Sequence, residues 1–251
     1  MNAQQLPIFL MHVPKCAGFS VVAFLGQAIA PHEICPNTID GKWRWEPEQV
    51  PDYKLYAGHF SVDFVRAMGG RGTMLTMLRH PLARAVSLYD YWRSYRWDFI
   101  NANFPPYPNN GPAVAKRFAL LEFLDQPFAI DNVYNHCARM LLGSRFDELM
   151  PDEDATIAEA ALALREFDWI GFVEHFDMSI ARLGALLDLP VPSSLPREND
   201  TAALGRANPA FEPVVPTKPS QAEKDKILGL NRIDLAVYDA AQKLVRQGSP
   251  A

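Results

Sequence analysis

Residues 6–30 read LPIFLMHVPKCAGFSVVAFLGQAIA, and they set the architecture at the start of the chain. The first part, Leu6–Val13, is an unbroken apolar run, which is typical of a strand buried on both faces of a parallel sheet. The last part, Phe19–Ala30, has the composition of a mostly buried helix that ends before Pro31. Only the short segment 14–18 separates the two, so the sequence predicts a strand, a tight loop and a helix.

Short apolar runs recur along the chain, and segments with a helical pattern follow them. The predicted strands after the first are Lys54–His59, Thr73–Leu78 and Asp168–Val173. The predicted helices after the first run from Ser61 or Asp63 to Met68, from Pro81 to about Arg96, over Lys116–Leu124, Asp131–Leu142, Asp152–Phe167 and Asp177–Leu187, and from Ser220 to Leu244. Strands alternating with helices predict an α/β protein with a mostly parallel sheet. The proline-rich segments 98–115 and 189–219 are predicted to be loops.

The composition limits the class of protein. With 49% apolar and 21% charged residues, the 251-residue chain can bury a core and is not disordered throughout. Its 24 basic and 29 acidic residues give a net charge of −5, which argues against a general nucleic-acid binder. A polyanionic ligand would therefore need a local positive site.

Cysteine usage and the N-terminal segment bear on the compartment. Cys16, Cys35 and Cys137 form no CxxC pair, so the sequence indicates neither a disulfide framework nor a cysteine-rich zinc site. The apolar run Ile8–Val13 is too short for a signal peptide or a membrane span. We therefore expect a cytoplasmic protein without a membrane span, in which residues 1–251 form a single domain.

The segment Pro14–Ser20, PKCAGFS, connects the first strand to its helix, where α/β proteins commonly bind phosphate. Small residues let backbone N–H groups converge, the helix N-terminus adds positive potential, and Lys15 adds a full charge. The order differs from the P-loop pattern GxxxxGK[ST], since the first glycine is missing and Lys15 precedes Gly18. The segment predicts an anion-binding loop, but an ordinary strand–helix turn with an exposed lysine fits it equally well.

A second candidate segment, RHPLARAVS at residues 79–87, follows the third predicted strand. Arg79 thus lies at the carboxyl end of a strand, where open sheets bind their ligands, and its guanidinium suits phosphate. Ser87 follows about two helical turns later, so the two side chains are candidates to hold one phosphate together. The alternative is a plain helix start after Pro81 with Arg84 in solvent.

Taken together, these segments resemble the PAPS-dependent sulfotransferases, which use 3′-phosphoadenosine 5′-phosphosulfate as sulfo donor. HVPKCAGFS (12–20) resembles their 5′-phosphosulfate loop, and RHPLARAVSLY (79–89) resembles their 3′-phosphate motif. YAGHFSVDF (56–64) resembles the segment that bears the catalytic histidine in the uronyl 2-O-sulfotransferases of glycosaminoglycans. DWIGFVEHFDMSIARL (168–183) and PTKPSQAEKDKI (216–227) resemble later blocks of the wider carbohydrate sulfotransferase group. The resemblance implies a P-loop-like three-layer fold, with a central mostly parallel sheet flanked by helices, and a bacterial cytosolic member.

The resemblance also implies roles for single residues. Lys15 would offset charge on the leaving group, and His59 would act as the base for the acceptor hydroxyl. The implied cofactor-binding residues are Lys15, Cys16, Ala17, Gly18, Phe19, Ser20, Arg79 and Ser87. Family loops usually carry Thr or Ser at the position of Phe19, so one hydroxyl donor is missing. The implied co-substrate is PAPS, the implied product is PAP, and no metal is implied. The implied acceptor bears a hydroxyl group and is favoured to be a carbohydrate. Nucleic acid is not an implied partner.

Several further residues have two interpretations each. His12 is interpreted as structural, Asp63 either orients His59 or simply starts a helix, and Cys16 is more readily a small loop residue than a reactive thiolate. Aromatic residues that either stack on sugars or pack internally are Trp43, Trp45, Tyr91, Trp92, Tyr95 and Trp97. Arginines that either meet an anionic acceptor or lie in solvent are Arg93, Arg96 and Arg139. The resemblance assigns to an adenosine-covering loop Arg206, Thr217, Lys218 and Ser220.

Two other functions would use the same parallel sheet with a phosphate-binding loop after a strand. A P-loop-type nucleotide kinase is disfavoured by the missing GK[ST] order and by the lack of a clear magnesium-binding Asp at a strand end. A non-catalytic nucleotide-binding protein of the same fold is disfavoured because Lys15, His59, Arg79 and Ser87 are all intact. The sequence therefore favours a sulfotransferase.

Overall fold

The structure, a computed structural model, describes residues 7–35, 52–192 and 208–248. The strands are β1 Ile8–Met11, β2 Leu55–Gly58, β3 Thr73–Leu78 and β4 Trp169–Phe172. The helices are α1 Gly18–Leu25, α2 Val62–Ala67, α3 Pro81–Arg93, α4 Trp97–Asn103, α5 Gly111–Arg117, α6 Leu120–Phe123, α7 Pro127–Val133, α8 His136–Leu142, α9 Phe146–Leu149, α10 Glu153–Ala163, α11 Phe176–Leu187, α12 Gln221–Leu230 and α13 Arg232–Arg246. No helix among these residues is both long enough and apolar enough to cross a bilayer.

The described chain divides into two compact units. Of the described residues, the first unit holds 7–35, 52–79, 137–192 and 236–248, and the second holds 80–136 and 208–235. The first unit holds the β-sheet, whereas the described secondary structure of the second unit is helical.

The sheet of the first unit has four strands in the order β2-β1-β3-β4, and every pairing is parallel. β1 is an interior strand, with Met11 opposite Gly58 on one side and opposite Thr76 on the other. All residues of the four strands are buried, which explains why their sequences are apolar runs rather than alternating patterns.

Helices cover both faces of this sheet. On one face, Phe24 of α1 and Leu183 of α11 are fully buried in the cluster that contains Ile8 and Leu10. On the other face, the ring of Phe64 in α2 lies against the rings of Phe9 and Tyr56. The predicted α/β class, with a central parallel sheet between layers of helices, is therefore confirmed.

The second unit packs α3, α5, α6, α7 and α12 around an apolar core. Leu88 of α3, Phe123 of α6 and Ile227 of α12 are among its buried members. Arg84 is only 1% exposed, and it donates hydrogen bonds to the carbonyl oxygens of Asn132 (3.2 Å) and Val133 (2.8 Å) at the end of α7. The alternative interpretation that left Arg84 in solvent is wrong, because its guanidinium is used to cap a neighbouring helix.

The prediction of a loop over residues 98–115 is also wrong, since α4 and α5 occupy most of that segment. α5 begins where the side chain of Asn110 accepts a hydrogen bond from the backbone N–H of Ala113 (2.6 Å) and Pro112 lies in the first turn. The Pro and Asn residues that suggested a loop therefore act here as a helix start.

Three predicted helices are interrupted. The helix over residues 116–124 is broken at Phe118, which has extended backbone, and the helix over residues 131–142 is broken at Asn135, which has a φ of 39°. The C-terminal helix is broken at Asn231, between α12 and α13. By contrast, the predicted capping box is confirmed, because the N–H of Ser220 donates to Glu223 (2.7 Å) and that of Glu223 to the Ser220 hydroxyl (3.4 Å).

Replacing Leu183 tests the packing of α11 on the sheet. The change Leu183→Ala is expected to lower the free energy of unfolding by about 2–5 kcal/mol, because the removed side chain leaves a cavity in a closed core. Met178 lies on the same helix with 61% of its surface exposed, so Met178→Ala is the matched control and should cost less than about 0.5 kcal/mol. Urea denaturation followed by circular dichroism measures both; equal losses would contradict the packing described.

Candidate functional site

The loop between β1 and α1 is a tight turn with unusual backbone conformations. The N–H of Cys16 donates to the carbonyl of Val13 (3.1 Å), and Lys15 and Ala17 have positive φ values of 68° and 57°. For residues with a side chain, this left-handed conformation costs roughly 1–2 kcal/mol each. Left-handed residues in a turn are typical of loops that point backbone N–H groups into an anion-binding concavity.

Helix α1 begins at this loop without a side-chain cap. Within the described residues, the backbone N–H groups of Gly18 and Phe19 donate no hydrogen bond, and helix N-termini carry a partial positive charge. A phosphate or phosphosulfate group fits such a site, because its oxygens accept hydrogen bonds from these donors. Ser20 lies in the first turn with 1% of its surface exposed.

Two cationic side chains meet at the same end of the sheet. Arg79 directly follows β3, and its guanidinium donates to the carbonyl oxygen of Lys15 (3.3 Å). Burial, together with the charge of Arg79, lowers the pKa of Lys15 from 10.5 to about 7, although the Cys16 thiol acts in the opposite direction. An anion bound here would favour the charged form of Lys15 and raise that pKa again.

Two histidines lie side by side where β1 and β2 end. The N–H of His12 donates to the carbonyl of Gly58 (2.8 Å), which extends the parallel pairing by one residue and places His12 beside His59. Their ring centroids are 4.8 Å apart at 66° between planes. Burial, and then the charges of His59 and Lys15, lower the pKa of His12 well below its ordinary value. His59 itself is half-buried.

The first unit therefore brings together Lys15, His59 and Arg79 at the carboxyl ends of β1, β2 and β3. The sequence analysis predicted these three residues at the ends of neighbouring strands. Their roles in binding and catalysis stay predictions. Ser87 belongs to the second unit, where it lies half-buried on α3. Its assignment to the same phosphate as Arg79 remains a prediction from sequence spacing.

Asp63 and Cys16 have contacts that favour their structural interpretations. The Asp63 carboxylate accepts a hydrogen bond from the N–H of Ser144 (2.6 Å) and lies 3.7 Å from the guanidinium of Arg66. Cys16 is 1% exposed, and its Sγ lies 3.8 Å from the carbonyl oxygen of Pro14, to which it donates.

Tyr238 and Glu174 form a polar pair in the first unit that the sequence did not indicate. The Tyr238 hydroxyl donates to the Glu174 carboxylate (2.9 Å), and burial, together with that carboxylate, raises the pKa of the tyrosine. The thiol of Cys16 contributes to the same shift, so the pair lies within electrostatic range of the β1–α1 loop. Because the partners are 64 residues apart, no local pattern could have joined them.

Most of the aromatic candidates of the second unit pack internally. The ring of Tyr95 lies 4.4 Å from that of Phe211, the hydroxyls of Tyr91 and Tyr95 are hydrogen-bonded at 2.8 Å, and Trp92 packs against Phe123. Trp97 is the exception, with 40% of its surface exposed. Trp43 and Trp45 lie outside the described residues.

The basic and late-segment candidates are also partly accounted for. Arg93 donates to the Thr217 hydroxyl (3.1 Å), and the Thr217 N–H donates to Asp90 (3.0 Å), so these contacts hold the segment before α12 against α3. Arg96 pairs with Asp98 (3.1 Å) in solvent. The guanidinium of Arg139 lies over the Phe146 ring, and Lys218 is exposed. Ser220 caps the N-terminus of α12, and Arg206 lies outside the described residues.

The chain was compared with protein families, with curated sequences and with solved structures, and only the last gave a match. The sequence matches no protein-family model and no curated protein sequence. A similar solved structure is the crystal structure of the mouse sulfotransferase SULT7A1 complexed with PAP, with a TM-score of 0.44 and 16% identity over 100% of this chain and 91% of that one.

The lowered pKa of Lys15 can be measured by its reaction with an amine-acylating reagent. Since only the neutral amine reacts, the labelling rate of Lys15 is expected to rise with pH and to level off above about 7. Arg79→Gln should move the midpoint to higher pH, because it removes a neighbouring positive charge. Arg71 is an exposed arginine before β3, and Arg71→Gln should leave the midpoint in place. Peptide mass spectrometry quantifies the labelling; identical midpoints in all three proteins would contradict the proximity of Lys15 and Arg79.

Proposed function

We propose that the protein is a PAPS-dependent sulfotransferase. The observation that carries the proposal is the meeting of Lys15, Arg79 and the uncapped start of α1 at one sheet edge, beside His59. A loop with positive charge and open N–H donors suits a ligand with phosphate-like groups, and an adjacent imidazole suits proton transfer.

The β1–α1 loop supports a site for the 5′-phosphosulfate end of the co-substrate. PAPS would supply an activated sulfo group whose transfer breaks the S–O bond to the 5′-phosphate. Gly18 and Phe19 offer backbone N–H donors, and Lys15 offsets the negative charge that develops on the departing phosphate oxygen. With an anion bound, the raised pKa of Lys15 keeps its side chain protonated for this task.

His59 is the base in this proposal. The acceptor hydroxyl gives its proton to the imidazole as its oxygen forms the new bond to sulfur. The proton thus goes to His59, and the 5′-phosphate oxygen leaves beside Lys15 with the bisphosphate product. His59 ends a strand after Gly58, which has no side chain to obstruct an approaching acceptor. Histidine is neutral over much of the physiological pH range yet basic enough to accept such a proton.

Arg79 is assigned to the 3′-phosphate, as its sequence motif suggests, and its guanidinium can bind two phosphate oxygens at once. Ser87 is assigned to the same phosphate because it follows Arg79 by about two helical turns in the sequence. The acceptor is proposed to be a hydroxyl-bearing molecule, with carbohydrate favoured because the segments at 56–64 and 168–183 resemble those of carbohydrate sulfotransferases. In this proposal residues 1–251 act as one sulfotransferase domain.

The co-substrate assignment is tested by thermal denaturation with adenosine 3′,5′-bisphosphate and with ATP. The bisphosphate is expected to stabilise the fold by about 2.7 kcal/mol at a hundredfold excess over its Kd, and ATP by much less. This difference separates a sulfotransferase from a nucleotide kinase. Arg79→Ala should weaken bisphosphate binding by roughly 1.5–3 kcal/mol, whereas Arg71→Ala should not. Equal stabilisation by both nucleotides would overturn the assignment.

The role of His59 is tested by His59→Ala at saturating PAPS. Mass spectrometry of sulfated products from a panel of hydroxyl acceptors first identifies a usable acceptor. The variant is then expected to lose ~10²–10⁴ in kcat, because the base is removed, with the affinity for the bisphosphate nearly unchanged. His32 is an exposed histidine in the same unit, and His32→Ala should retain the wild-type rate. A near-wild-type kcat for His59→Ala would place the base elsewhere.

A further inference from the structure

His12 occupies a place between the β1–α1 loop and His59 that its sequence position did not reveal. The residue directly follows β1 and is 8% exposed. Its ring is 4.8 Å from the ring of His59, at 66° between planes, and 5.3 Å from the ring of Phe19, at 88° between planes. A single buried side chain thus touches both the candidate base and the start of α1.

The contact between His12 and α1 is close enough to exclude any side chain at position 18. A Cβ atom on Gly18 would lie 2.0 Å from Cδ2 and 2.4 Å from Nε2 of His12, well inside contact distance. No positive φ is recorded for Gly18, so backbone conformation does not require glycine there. The glycine of the loop is therefore needed to accommodate the His12 ring.

The electrostatic surroundings keep His12 neutral. The groups whose charges act on it are His59 and Lys15, and both disfavour a second positive charge, as burial does. His12 thus keeps an uncharged ring beside His59.

We propose that His12 is a positioning residue, whose ring fixes the spacing between the start of α1 and His59 and so aligns the base with the donor end of the site. The inference rests on the proposed function, in which His59 accepts the acceptor proton. A base displaced by about 1 Å can lose on the order of 10² in rate. His12 needs no contact with either substrate for this effect.

Two variants separate the ring from its nitrogens. His12→Ala removes the ring, and kcat at saturating PAPS is expected to fall about 10²-fold while the Kd for adenosine 3′,5′-bisphosphate changes little. His12→Phe keeps a flat ring without a titratable nitrogen, and it should recover most of the rate. Equal losses in the two variants would overturn the positioning role, because a ring at this place would then not restore the rate. A wild-type kcat in His12→Ala would overturn it as well.

A double-mutant cycle tests the contact with Gly18 directly. Gly18→Ala is expected to weaken bisphosphate binding by on the order of tenfold or more, because the added methyl overlaps the His12 ring. The double variant His12→Ala/Gly18→Ala should regain most of that affinity, since the space is then free. Calorimetry measures all four proteins, and additive losses would contradict the proposal.

A measurement without ligand separates this inference from the proposed function. The imidazole resonances of His59 are followed by NMR in the free wild-type protein, in His12→Ala and in His12→Phe. We expect His12→Ala to shift the His59 signals strongly and His12→Phe to shift them less, because a ring remains beside them. If the wild-type protein binds no bisphosphate but the variants show these shifts, the sulfotransferase assignment fails while the packing of His12 on His59 stands. If the His59 signals are the same in all three proteins, the inference fails whatever the protein binds.

Discussion

β1 is hydrogen-bonded to a parallel strand on each side, and the candidate site depends on this pairing. Parallel neighbours end at the same edge, so the residues that follow β1, β2 and β3 are forced close together. The carbonyl of Gly58 continues the pairing to His12, and the buried Thr76 hydroxyl donates to the carbonyl of Met11 at 2.9 Å. The positions of Lys15, Arg79 and the two histidines all follow from where these strands stop.

The site concentrates groups that repel one another. Lys15 and Arg79 carry like charge, and burial disfavours the charged forms of Lys15 and His12. Such a cluster is unfavourable in the unliganded fold, and the apolar packing on both faces of the sheet holds it in place. An anion bound between these groups would relieve the repulsion, and the proposed polyanionic co-substrate would do so despite a net charge of −5.

The helical segments show where local patterns fail. Asn135 adopts a left-handed backbone, which lets its side chain accept hydrogen bonds from the N–H groups of Ile233 and Asp234, both at 3.2 Å. These bonds break one predicted helix and support the start of α13, across about a hundred residues of sequence. Arg84 gives a second example of a long-range contact. It is buried because its guanidinium donates to carbonyl oxygens at the end of α7, and no local pattern places that helix end beside it.

The sequence alone determined the strands, the class of fold, the tight loop between β1 and α1, and the sheet edge shared by Lys15, His59 and Arg79. It could do so because buried parallel strands are apolar runs, and because the residues that end such strands must meet. Only the tertiary structure decided that His12 lies against His59 and that Gly18 leaves room for its ring. That contact depends on strand register and on the angle at which α1 leaves the sheet, and both are set by packing rather than by any local pattern.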